Sequence, residues 1–260
     1  MTGSDGPVKA LLALLLAAAV ATSGAACGGG SRTKNTGRLT VGTMKDARPF
    51  EFEKSGRMTG FDVELAAALA KRMGLRLEIV TDPWNSLTAN LEAGKYDMVM
   101  AATTITFERR RALDFSDPYF ETDQAISVMR TSSIRSGGDL SGKTVGVLNS
   151  STPQYAAEKI PGLRAIVKYD AVPDVFEALQ NGRVDATIMD CSIAERYARE
   201  TGNQRVIATI VTEEEYGIVF RKGSAGMEKR VNSALGRMKR DGTYRRLHDK
   251  WFGNEHRTGG

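Results

Sequence analysis

Between residues 94 and 120 the sequence GKYDMVMAATTITFERRRALDFSDPYF sets small residues, the hydroxyls of Thr103, Thr104 and Thr106, and Arg109 within one short span. Residues 96–100 read as a short apolar strand after a Gly-Lys turn, and residues from 107 onward read as a helix that opens on charge. The order is strand, polar loop, helix start. In an open α/β sheet, small ligands lie in the crevice beyond the carboxyl ends of strands, where hydroxyls, backbone N–H groups and a guanidinium suit an anion. The chemistry expected of this stretch is capture of a carboxylate.

The flanking elements must hold that loop in place. Residues 39–43 (LTVGT) are an apolar strand followed by the loop MKDARPFEF. In TGFDVELAAALAKRMG, Phe61, Leu65 and Leu69 recur at four-residue spacing, Asp62 and Glu64 complement the amino end, and Lys71 and Arg72 the carboxyl end before Gly74. That pattern predicts a helix. Residues 75–80 form a second strand, Trp84 falls in the turn after it, and residues 86–93 form a short helix. Alternation of strand and helix predicts a parallel α/β unit.

The unit then repeats. LTVGT at 39–43 is answered by KTVGV at 143–147, and LEAGKYDMVMAA at 91–102 by LQNGRVDATIMD at 179–190. Leu91, Gly94, Lys95 and Asp97 correspond to Leu179, Gly182, Arg183 and Asp185 at a constant offset of 88 residues, which sets Asp190 against Ala102. Two lobes built alike would then offer Thr and Arg from one side of a cleft and a carboxylate from the other. That pairing suits a zwitterion. Residues 215–221 (EYGIVFR) form a strand able to carry the chain back to the first lobe, and helices follow from Gly226 to about Arg240 and over TYRRLHDKWFG.

The 260 residues, 41% hydrophobic and 26% charged, are ordinary for a globular protein with a real core. Lys9, the apolar run at 10–20 and the small residues of ATSGAAC have the layout of a secretory signal. Cys27 sits where a lipoprotein signal places its modified cysteine, though Gly24 stands where that motif usually has Leu, and GGGSRTKNTGR has the composition of a flexible tether. Residues 1–26 are read as signal peptide and 27–37 as tether. With Cys27 lipidated, Cys191 is left as a lone thiol and no intramolecular disulfide forms. The net charge of +5 is scattered rather than gathered with aromatics, so nucleic acid is not an expected partner.

Five blocks now carry a resemblance: ITFER within TTITFERR, LDFSDPYF, DLSGKTVGV, GFDVELAAALAKRMG and the closing DGTYRRLHDKWFG. Together, over about residues 38–253, they resemble the bacterial extracellular solute-binding proteins of family 3, the polar-amino-acid receptors of ABC importers. The resemblance implies an α/β protein of two similar lobes with mixed, mostly parallel sheets joined by two crossover strands, the type II periplasmic binding protein fold. Lobe 1 is expected over 38–121 plus 216–256 and lobe 2 over 122–215. It implies a monomeric, lipid-anchored receptor on the outer face of the cell membrane that closes on a free amino acid and presents it to a permease, with no cofactor.

Carried over residue by residue, Arg109 matches the arginine that clamps the ligand α-carboxylate, with Ala102 and Thr104 as its backbone and hydroxyl partners. A planar guanidinium suits the task because it makes two parallel bonds to a carboxylate. Asp190 matches the acid that holds the α-ammonium, and Ser151 and Thr152 complete the site from lobe 2. The plainer readings are a helix cap for Asp190, a local turn for Ser151 and Thr152, and a solvated face for Arg110 and Arg111. Trp84 falls where an apolar or aromatic side chain lies against the ligand, able to pack on an aliphatic stem or stack on a cation. Met44 and Ala47 stand where many members have an Asp and an aromatic, which weakens the case for a basic ligand; Lys45, Asp46 and Arg48 lie nearby.

Other chemistries find little support. His248 and His256 lie near the carboxyl terminus and no Cys/His cluster has metal-ligand spacing. GxSxG is absent, and Cys191 reads as an inert thiol. The enzyme alternative is an exported cyclohexadienyl-dehydratase-like protein on the same fold, which would need a general acid or base in the cleft.

Overall fold

A computed structural model describes residues 37–253. The expected signal peptide, Cys27 with nearly all of its tether, and His256 lie outside these residues. The chain enters β1 (Arg38–Thr43) and forms a small antiparallel sheet from β2 (Asp46–Ala47), β3 (Glu51–Lys54) and β4 (Arg57–Thr59). It continues through α1 (Phe61–Arg72), β5 (Arg76–Thr81), α2 (Trp84–Glu92), β6 (Met98–Val99), α3 (Phe107–Ala112) and β7 (Leu113–Phe115). Strand β8 (Phe120–Met129) leaves for a second sheet made with β9 (Thr144–Leu148), β10 (Ala165–Tyr169), β11 (Ala186–Asp190) and β12 (Gln204–Tyr216). Helices α4 (Thr152–Glu158), α5 (Val172–Gln180) and α6 (Cys191–Thr201) alternate with those strands. The chain then returns as β13 (Val219–Arg221) and ends in α7 (Ala225–Arg240) and α8 (Thr243–Phe252).

The two five-stranded sheets run β5-β1-β6-β13-β7 and β10-β9-β11-β8-β12. In each, the α/β unit supplies parallel pairs, and the strand that arrives from the other sheet joins antiparallel. The expected strand at 215–221 is divided instead: β12 ends at Tyr216 and β13 begins at Val219. Gly217 lies at the division because a side chain there would meet Ile105 and Phe115, with an added Cβ only 2.8 Å from Ile105.

The internal echo has one physical cause in both halves. Asp97 N–H donates to Thr40 O at 2.8 Å while its carboxylate accepts from Thr40 N–H at 2.9 Å. Asp185 does the same with Thr144, at 2.8 and 2.7 Å. Each aspartate thus fastens the entry of one strand to its parallel neighbour, after a helix ended by a left-handed glycine, Gly94 or Gly182.

An aromatic cluster sits beneath the crossover. Phe120 on β8 pairs with Tyr216 on β12 and their rings stack at 5.6 Å. Phe50, Phe61 and Phe252 close around Phe120 at 4.7–6.0 Å. His248 packs against these rings and is buried, as expected of a structural histidine. Rings packed edge-on and offset make a dense, well-ordered base for the two strands that join the lobes.

Candidate functional site: a cleft at the crossover

Arg109 is aimed by its own helix. Thr106 is the N-cap of α3 and its hydroxyl accepts from Arg109 N–H at 3.1 Å. The guanidinium turns back so that Nη1 donates to Thr104 O at 2.9 Å. It then lies over the Trp84 indole, 5.2 Å from the ring centroid. Trp84 is the first residue of α2, two residues earlier than the expected helix start. Pro83, in extended geometry as N-cap, begins the helix there, and its carbonyl accepts from both the N–H and hydroxyl of Ser86. Trp84 Nε1 reaches Ser150 O at 3.3 Å, which ties the first lobe to the second.

Asp190 ends β11 on the opposite wall and is buried. It occupies the N-cap position of α6 but makes no cap bond. Its carboxylate instead accepts from Gln124 Nε2 at 2.6 Å through Oδ1 and from the Tyr216 hydroxyl through Oδ2. Burial, and then the charge of Glu214, push its pKa up to about 7, against the lowering by those two bonds and by Arg109. Burial likewise lowers the Arg109 pKa, while Asp190 and Glu214 oppose that shift.

Glu214 was not found by reasoning from the sequence. It is 8% exposed and its Oε2 accepts from the hydroxyls of Thr104 and Thr152, each at 2.7 Å. Its Oε1 accepts from Gln124 Nε2 at 2.8 Å. Glu214 therefore joins a loop of lobe 1, a helix start of lobe 2 and the crossover strand β8. A register shift between Ile210 and Glu214 aims it inward, with Asp123 Oδ1 accepting from Thr212 and Glu213 N–H at 2.8 and 3.0 Å and Glu213 at φ 50°. Bulges re-aim side chains in this way. The signal in the sequence was the run Glu213-Glu214-Glu215, and the bulge hid which of the three faces in.

The structure brings Met44, Trp84, Ala102, Thr104, Arg109, Ser151, Thr152 and Asp190 into the wall of one cleft. Leu148, Pro153, Val172, Met189 and Ile193 complete much of its apolar surface. Besides Thr104 and Thr152, whose hydroxyls serve Glu214, two more of the eight have prior commitments. Ala102, at φ 44°, gives its N–H to Asp62 Oδ2 at 3.0 Å and so does not offer that donor to a ligand. Ser151 caps α4 and donates its hydroxyl to Leu148 O at 2.6 Å, which is the plainer reading of that residue. Thr104 and Thr152 hydroxyls are 3.3 Å apart across the cleft. Lys45, Asp46 and Arg48 are not among the lining residues; Arg48 lies over Phe52 at 4.1 Å. The Cys191 thiol is pushed up to about 11 by burial, which makes it a poor nucleophile at neutral pH.

Two α/β lobes on paired crossover strands, with a cation and a carboxylate facing each other over the joint, define a two-lobed binding protein of the type II periplasmic fold. A model of the bacterial extracellular solute-binding proteins, family 3, matches residues 39–254, and the chain belongs to that family. It is 33% identical over 260 residues to the probable histidine-binding protein of Neisseria gonorrhoeae, covering 95% of this chain and 96% of the relative. It is 34% identical over 255 residues to the arginine-binding extracellular protein ArtP of Bacillus subtilis, covering 95% and 100%. Among solved structures, the arginine-, lysine-, histidine-binding protein ArtJ of Geobacillus stearothermophilus superposes with a TM-score of 0.78 at 37% identity, covering 84% and 96%. These relatives are named as binding proteins.

Proposed function

We propose that the cleft captures a free amino acid by its charged backbone and that the closed protein delivers it to the permease of an ABC importer. One observation carries this reading: the Arg109 guanidinium and the Asp190 carboxylate stand on opposite walls of a single cleft, each fixed by bonds to its own surroundings. An α-carboxylate against Arg109 and an α-ammonium against Asp190 satisfy both at once. The relatives' names, for histidine, arginine and lysine, have that zwitterion in common, and only the common part is carried over to this chain. Because the groups belong to different lobes, a ligand favours closure by its extra affinity for the closed form.

In this reading lobe 1 comprises residues 38–121 and 216–256 and lobe 2 residues 122–215, hinged where β8 and β12 cross. Cys27 carries the lipid that holds a monomeric receptor at the outer face of the cell membrane, on a tether over residues 27–37. A thermal-shift screen of the twenty amino acids tests the reading. At least one should raise the melting temperature in a concentration-dependent way, as binding to the native state requires. No stabilisation by any amino acid at millimolar concentration contradicts it.

A further inference from the structure

The groups that remain once the zwitterion is held form the wall for the ligand side chain. Arg109 and Asp190 are the charged residues among those lining the cleft, and both are committed to the backbone of the ligand. Of the other lining residues, Thr104, Ser151 and Thr152 direct their hydroxyl hydrogens to Glu214 and Leu148 O, and most of the rest are apolar: the thioethers Met44 and Met189, the aliphatic Leu148, Val172 and Ile193, and the Trp84 indole. Met44, Leu148, Val172, Met189 and Ile193 are all buried.

Two features suited to a cationic side chain are already engaged. The Trp84 ring already carries the guanidinium of Arg109 over one face, and that charge repels a second cation brought up to the same indole. Glu214 is the second buried carboxylate near the site, yet it is absent from the lining residues and accepts from Thr104, Thr152 and Gln124. The hydroxyls stand between it and the cleft. Asp46, the acid nearest in sequence to Met44, lies on β2 outside the wall. A charged side chain entering this subsite loses its water without gaining a partner, which is strongly unfavourable. An aliphatic or thioether side chain gains contact with soft, deformable sulfur and methyl surface.

We infer that the side-chain subsite formed by Met44, Trp84, Val172, Met189 and Ile193 selects an amino acid with an uncharged, apolar or thioether side chain. This rests on the amino-acid-binding function proposed above.

Calorimetry on the purified protein separates the two claims. Methionine, leucine, isoleucine, valine and phenylalanine are compared with arginine, lysine, histidine, glutamate and glutamine. The expected result is binding by members of the first group at least a hundredfold tighter than by any of the second. Tightest binding by a charged or amide side chain overturns the inference and leaves the amino-acid function standing. Absence of binding by all twenty amino acids overturns the function and the inference with it. Met44→Asp supplies the converse: a carboxylate at the end of β1 should improve lysine or arginine binding at least tenfold while weakening the apolar ligands. Unchanged selectivity in a folded Met44→Asp protein contradicts the placement of Met44 against the side chain.

Discussion

The Thr104 hydroxyl and the Glu214 carboxylate, 110 residues apart in sequence, meet at 2.7 Å, and the hydroxyl hydrogen of Thr104 is directed to Glu214. Thr152 reaches the same carboxylate oxygen at 2.7 Å. Each threonine has one hydroxyl hydrogen, so both present lone pairs elsewhere. With both hydroxyl hydrogens directed to Glu214, neither is free to donate to a ligand carboxylate, which leaves Arg109 as the side-chain donor of the cleft for that group. That modifies the role expected for Thr104, whose hydroxyl was matched to the carboxylate.

Glu214 is accordingly a positioning residue. Glu214→Ala leaves Thr104, Thr152 and Gln124 without their shared acceptor, at a cost of about 1–3 kcal/mol for unmet buried groups. Calorimetry should show roughly ten- to a hundredfold weaker amino-acid binding. Glu214→Asp, which keeps the charge on a shorter stem, should recover part of the loss. Wild-type affinity in Glu214→Ala removes the role assigned to it.

The pKa of Asp190, raised to about 7, makes binding depend on pH in a defined direction. Below that value the free protein holds a proton on Asp190, and the ligand ammonium needs the carboxylate. Affinity should rise with pH through about 7 and then level off, with up to about tenfold lost per unit on the acid side. Asp190→Asn should bind weakly with a flat profile between pH 5.5 and 8. A wild-type profile that is flat, or that falls with rising pH, contradicts the assignment.

A second buried acid affects stability rather than binding. Asp62 accepts from Ala102 N–H at 3.0 Å and from the Tyr119 hydroxyl at 2.8 Å, yet burial pushes its pKa up to about 6. Fully buried Glu51 beside it is raised well above its ordinary value, by burial first and then by the Asp62 charge. A raised acid favours the protonated fold. Its contribution is complete below the unfolded value of about 4 and is lost as pH rises through about 6. Between about pH 4 and 6 melting temperature should fall more, or rise less, in the wild type than in Asp62→Asn. Parallel curves for the two proteins exclude this linkage.

Much of this was legible in the sequence, for reasons that are local. The paired strand entries were visible because Asp97 and Asp185 do the same job after the same left-handed glycine turn, and such turns constrain residue type tightly. The position of Asp190 followed from a strand end in the second repeated unit, whereas Arg109 was singled out among three consecutive arginines by the family resemblance. Glu214 was not legible because a bulge breaks the alternation that tells inward from outward residues, and Val211 is 73% exposed on the same strand. Nor did sequence spacing reveal that the Trp84 ring is covered by Arg109, since two elements from different parts of lobe 1 must first pack.

The central claim is that Arg109 and Asp190 together read the ligand zwitterion, and calorimetry on Arg109→Ala with the best amino acid from the thermal-shift screen tests it most directly. Removing one partner of a buried charge pair costs about 3–5 kcal/mol. The expected result is affinity reduced by a hundredfold or more in a protein that still melts cooperatively. Wild-type affinity in that variant would place the ligand elsewhere and contradict the account.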